Sequence, residues 1–66
     1  MKTLKELREE NAFSIRDLAA KAGVSPNTIA RSEHGKVIRP ISKRAICKAL
    51  KLSPKDIDWN LTYKLT

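Results

Sequence analysis

Leu4 and Leu7 stand at i and i+3, with Glu6, Glu9 and Glu10 on the other side, so residues 2–11 predict a short amphipathic helix. Asn11-Ala12 connects it onward, and Phe13 is expected in the core. Ser14-Ile15-Arg16-Asp17 has the spacing of a capping box and opens a second helix, with Leu18, Ala19 and Ala22 facing inward. Gly23 stands where a helix stop needs the left-handed conformation. Ser25-Pro26 supplies an N-cap and a proline suited to the first helical position, so a third helix should run to about Glu33 or His34 and stop at Gly35. Arg39-Pro40 is an extended step, because a residue before proline avoids the helical region. A fourth helix is expected over residues 41–50, its apolar set being Ile41, Ala45, Ile46, Ala49 and Leu50. Ser53-Pro54-Lys55-Asp56 repeats the Ser-Pro start and predicts a short fifth helix through Ile57.

The last eight residues change period. Trp59, Leu61, Tyr63 and Leu65 alternate with polar residues, which reads as a strand. A lone strand in a helical chain needs a partner, and the same strand of a second copy would serve. The other reading is a helical extension with Trp59 and Leu61 packed on the core; the alternation favours the strand. The expectation is therefore an all-α bundle of five short helices over residues 1–58, with a tail over 59–66 used in dimerisation.

Composition narrows the function. A chain of 66 residues with 41% hydrophobic and 32% charged positions is one small globular domain, and a second copy would add to its slim core. One cysteine, Cys47, and one histidine, His34, leave no disulfide and no paired-ligand metal site. Cys47 reads as a buried small apolar residue. This inventory argues against an enzyme, and nothing in it calls for a cofactor or a small-molecule ligand. No apolar run approaches the roughly 20 residues of a membrane span, and the charged N-terminus is unlike a secretory signal, so a reducing cytoplasm is the expected setting.

The net charge of +7 is concentrated. Residues 34–55 hold Lys36, Arg39, Lys43, Arg44, Lys48, Lys51 and Lys55 and no acid, whereas the first half is nearly balanced. A basic segment of this kind is either a solvated face or the footprint of a polyanion. A membrane surface fits poorly, because these bases do not oppose one broad apolar helix face.

Helices two and three are joined by only Gly23-Val24-Ser25, which forces a steep crossing: the helix-turn-helix geometry. Ala19 is small where the third helix crosses, Gly23 tolerates positive φ, and Val24 and Ile29 fill the gap between the helices.

Around this core, the string Leu4-x-x-Leu7-Arg8-Glu9, Ser14-x-x-Asp17-Leu18-Ala19-x-Lys21-Ala22-Gly23-Val24-Ser25, Thr28-Ile29-x-Arg31-x-Glu33-x-Gly35-Lys36, Arg39-Pro40, Ala49-Leu50-x-Leu52-Ser53 and Asp56-Ile57 resembles the Cro/repressor-type (XRE) helix-turn-helix family of phages and bacteria. The short interval from Pro40 to Leu50 is most similar to the lambdoid phage repressors. The resemblance covers nearly the whole chain. It implies a sequence-specific regulator of transcription, a repressor on an inverted-repeat operator, bound to double-stranded DNA as a homodimer in the bacterial or host cytoplasm. Helix three would then lie in the major groove. Arg31 would offer two donors to guanine, Asn27 would pair with adenine, Thr28 would touch a phosphate or a thymine methyl, and Ala30 would make an apolar contact. Ser14, Ile15 and Arg16 at the start of helix two, with Lys36, Arg39 and Lys43 beyond helix three, would hold phosphates. His34 would meet phosphate or solvent. Arg8 and Glu33 match positions that form a buried ion pair between helices one and three.

Two positions depart from the family's pattern. Ser32 replaces a bulky aliphatic, so either the packing is looser there or a neighbour such as Phe13 fills the space. Pro26 stands where a base-reading side chain is common, which moves reading onto Asn27, Thr28 and Arg31. An antitoxin-type regulator and a protein-interaction module on the same scaffold are the alternatives.

Overall fold

The computed structural model describes residues 2–59. Of the expected C-terminal strand, Leu61, Tyr63 and Leu65 lie outside the described residues; Trp59 lies within them. The chain forms β1 (Lys2–Thr3), α1 (Leu4–Glu10), α2 (Ile15–Ala22), α3 (Pro26–Glu33), α4 (Pro40–Leu50), a 3₁₀ turn (Pro54–Asp56) and β2 (Ile57–Asp58). The strands pair in parallel, with Lys2 opposite Ile57 and Thr3 opposite Asp58, so the whole helical body is the crossover between them.

Each helix start has a local cause. Thr3 caps α1 in a full capping box: Glu6 N–H donates to Thr3 Oγ1 at 3.2 Å, and Thr3 N–H donates to Glu6 Oε1 at 3.0 Å. Ser14 and Asp17 do the same for α2, at 3.0 and 2.9 Å. Ser25 Oγ accepts from Thr28 N–H at 3.2 Å, with Pro26 at the first position of α3. Gly23 ends α2 at φ +72°, and Val24 N–H reaches back to Ala19 O at 3.0 Å.

Leu4, Leu18, Ala19, Ile29, Ile46, Cys47, Leu50 and Ile57 make the core, and α2 packs against both α3 and α4. Phe13, Leu7, Val24, Ile38 and Trp59 surround it, half-buried. Ser32, at 3% exposure, is itself a buried residue, and no buried side-chain nitrogen or oxygen among the described residues is left without a hydrogen bond.

Three expectations are corrected. The described residues hold four α-helices, not five. Asp56 N–H bonds to Ser53 O at 2.9 Å in a single 3₁₀ turn, and Ile57 is already extended (φ −118°, ψ 134°) because its side chain enters the core from β2. The first helix begins at Leu4, since Lys2 and Thr3 are held extended by the pairing with β2. Ile41 is 70% exposed: α4 starts at Pro40, and its buried positions, Ile46, Cys47 and Leu50, all lie toward its other end.

Candidate nucleic-acid interface

The short turn after α2 sets α3 across the surface, with Ile29 and Ser32 buried and Asn27 and Arg31 exposed. The chain then turns at Gly35, which is buried at φ +77°. Gly35 N–H donates to Ser32 O and Lys36 N–H to Arg31 O, each at 3.0 Å, so the segment leaving α3 is tied back to it. Residues 36–39 then run beside α3 to the start of α4. A groove lies between. One wall is Asn27, Thr28 and Arg31; the other is Val37, Ile38, Arg39, Pro40 and Ser42.

The groove carries cations and no acid. The helix starts sharpen this contrast. The first turns of α1 and α2 contain Glu6 and Asp17, whereas those of α3 and α4 contain no acidic residue. Both acid-free starts border the groove, and the partial positive charge of a helix N-terminus adds to Arg31 and Arg39 there. Arg39, the N-cap of α4, gives that helix no side-chain cap.

The expected base-reading residues divide. Asn27, Thr28 and Arg31 share the groove, but Ala30 lines a second depression with Lys5, Arg8, Ile15, Glu33 and His34. Thr28 Oγ1 lies 2.9 Å from Ser25 Oγ, so its hydroxyl is shared with the cap. Of the expected phosphate residues, Arg39 lines the groove and Lys36 is exposed beside it. Lys43 is half-buried, with Nζ 5.3 Å from the centre of the Trp59 ring, and Trp59 Nε1 donates to Pro54 O at 3.0 Å. Arg16 is exposed and Ile15 half-buried at the start of α2. There Ser14 N–H is taken by Asp17, leaving the N–H groups of Ile15 and Arg16 ahead of the first intrahelical bond. That bond holds the Asp17 carboxyl below its ordinary pKa, chiefly through the Ser14 backbone N–H and then its hydroxyl.

Arg8 and Glu33 form a forked ion pair between α1 and α3. Arg8 Nε donates to Glu33 Oε2 at 2.6 Å, Nη2 to Oε1 at 3.3 Å, and Nη1 to Phe13 O at 2.8 Å. The side chains are 11% and 8% exposed. Donation to the Glu33 carboxylate raises the Arg8 pKa, against the opposing effect of burial.

Val37, Ile38, Pro40 and Ser42 as groove residues escaped sequence reasoning. The available signal was Val37-Ile38 itself, an apolar pair inside the basic run, of which only one member could turn inward. Among the described residues, no cluster of three His, Cys, Asp or Glu side chains could hold a metal, and no helix is long and apolar enough to cross a membrane.

Comparison with known proteins gives one match: a family model described as helix-turn-helix, over residues 4–57. Neither the curated proteins nor the solved structures contain a match.

Proposed function

Because the chain belongs to the XRE-type helix-turn-helix family of DNA-binding regulators, we propose that it is a sequence-specific transcriptional repressor that covers an inverted-repeat operator. The observation that carries this reading is the acid-free groove beside α3. Its walls combine planar hydrogen-bonding groups suited to base edges, Asn27 and Arg31, with a second cation, Arg39, suited to phosphate. The α3 helix enters the major groove, and Arg31 and Asn27 read bases there. Lys36 and Arg39 hold the flanking backbone, and the start of α2 meets a further phosphate through Ile15 N–H, Arg16 N–H and the Arg16 side chain. Arg8 and Glu33 fix α1 to α3 and so hold the reading helix in register. Ala30 adds an apolar contact from the neighbouring depression. Lys43 contributes charge near the backbone from its seat on Trp59. A homodimer formed through Trp59, Leu61, Tyr63 and Leu65 places two α3 helices on half-sites one turn, about 34–36 Å, apart.

The test is selection of duplexes from a random library by the full chain at near-physiological salt. A palindrome with that spacing is the expected product. Enrichment of a single half-site keeps the regulator and removes the dimer. No enrichment by a folded chain overturns the DNA reading in favour of a protein-interaction module.

A further inference from the structure

Val37 is 86% exposed, the highest exposure of any large hydrophobic among the described residues. It is not a core residue that missed its place. Its neighbour Ile38 packs against the core, and Lys36 is bonded back to Arg31, so Val37 is held facing outward on the wall of the groove. An isopropyl group there meets water unless the occupant of the groove has an apolar face.

The surroundings restrict that occupant. Arg31 and Arg39 flank Val37 and no acid lines the groove, so the occupant is anionic. The basic segment of a second copy is disfavoured there by like charge, which leaves the tail dimer proposed above unaffected. A sugar–phosphate strand has both required properties, since its phosphates alternate with deoxyribose rings whose C–H faces are apolar. With α3 inserted in the major groove, the strand that borders that groove passes beside the helix, where residues 37–39 form the opposite wall.

Resting on the DNA-binding reading above, we propose that this groove seats one deoxyribose–phosphate strand and that Val37 packs on a deoxyribose face, adding an affinity term independent of both salt and sequence. Charged contacts release counterions when they form; an apolar contact releases none. Val37 therefore differs measurably from Lys36 and Arg39, which set the salt slope, and from Arg31, which sets sequence preference.

The experiment measures fluorescence anisotropy of labelled duplexes, the selected site and an unrelated one, across a salt series. Wild type, Val37→Ser, Lys36→Ala and Ile41→Ser are compared. Ile41 is exposed but does not line the groove, so it controls for loss of an exposed aliphatic group. Val37→Ser is expected to raise Kd roughly three- to tenfold on both duplexes with the slope of log K against log salt unchanged. Lys36→Ala is expected to lower that slope by about one. Ile41→Ser should stay within about twofold of wild type. A third duplex, the selected site with deoxyuridine for thymidine, separates sugar from base: the Val37→Ser loss should be the same on it. Unchanged binding by Val37→Ser overturns the proposal, as does an equal loss for Ile41→Ser. A loss that vanishes on the deoxyuridine duplex makes Val37 a thymine-methyl reader and also overturns it. If wild type shows no salt-dependent duplex binding, the DNA reading itself falls; if wild type binds and Val37→Ser binds equally, only this inference falls.

Discussion

Arg8 and Glu33 constrain the fold because neither can be left alone. At 11% and 8% exposure, each is largely cut off from water; Arg8 donates to Glu33 and to Phe13 O. Arg8→Ala or Glu33→Ala is expected to cost about 3–5 kcal/mol, a large share of what a domain of this size has. Replacing both by apolar residues of similar volume should cost much less; urea unfolding of the two singles and the double checks it. The spacing of this pair was legible only through the family pattern, since residues 8 and 33 carry no local sign of contact. At the DNA surface, Arg31→Ala is expected to lose about 1–3 kcal/mol on the selected site and to relax preference at one or two base pairs. Arg39→Ala should weaken all duplexes alike and flatten the salt slope. If Arg31→Ala instead weakens every sequence equally, Arg31 is a phosphate residue. Lys43 has a second neighbour that charge counting does not show: its ammonium lies over the Trp59 ring, brought there by the turn after α4.

At the scale of elements, helix ends were the most legible feature. The Ser14, Gly23 and Ser25-Pro26 signals act within four residues and need no distant partner. The Thr3-Leu4-Lys5-Glu6 box was equally readable and would have placed the start of α1 correctly. The capping carboxylates carry a pH dependence. Backbone and hydroxyl hydrogen bonds, from Thr3 to Glu6 and from Ser14 to Asp17, hold both pKa values below the ordinary 4.5 and 3.8. A carboxylate depressed in the folded state stabilises it fully above its unfolded pKa, and this is lost as pH falls through the folded value. Stability should therefore decline from about pH 4.5 downward. Glu6→Gln with Asp17→Asn should shrink that decline without abolishing it, measured by thermal melts from neutral to acid pH. The end of α4 holds another test. Lys51 is left-handed at φ +60°, a conformation that costs a residue with a Cβ. Lys51→Gly is expected to stabilise by about 0.5–1 kcal/mol in denaturant unfolding, because relief of that strain outweighs the entropy of glycine.

For the whole molecule, the first and last elements of the described residues meet in the parallel pair of β1 and β2, which ties residues far apart in sequence. Strands of two residues have no periodicity to read, so this sheet was invisible beforehand. The alternating tail begins directly after β2, and its proposed role is separable from folding. A chain ending at Trp59 keeps the core, the Trp59–Pro54 hydrogen bond and the Lys43 contact. Such a chain is expected to sediment as a monomer at concentrations where the full chain is a dimer. If it retains dimer mass, the tail strand is not the interface.

What the sequence determined alone was whatever depends on near neighbours: four helices and most of their ends, the steep turn at Gly23, and the basic run from Lys36 to Lys55. These follow from backbone propensities, caps and charge counts acting over a few residues. Only the tertiary structure decided which apolar side chains found cover. Ile46 and Ile57 are buried while Val37 and Ile41 are exposed, though all four are equally hydrophobic in kind. It also decided that Asn27, Thr28 and Arg31 share a groove with residues 37–40 and Ser42 while Ala30 does not, and that the fifth helix shrinks to a 3₁₀ turn leading into β2. Burial is a property of what packs opposite a residue, and that partner lies far along the chain.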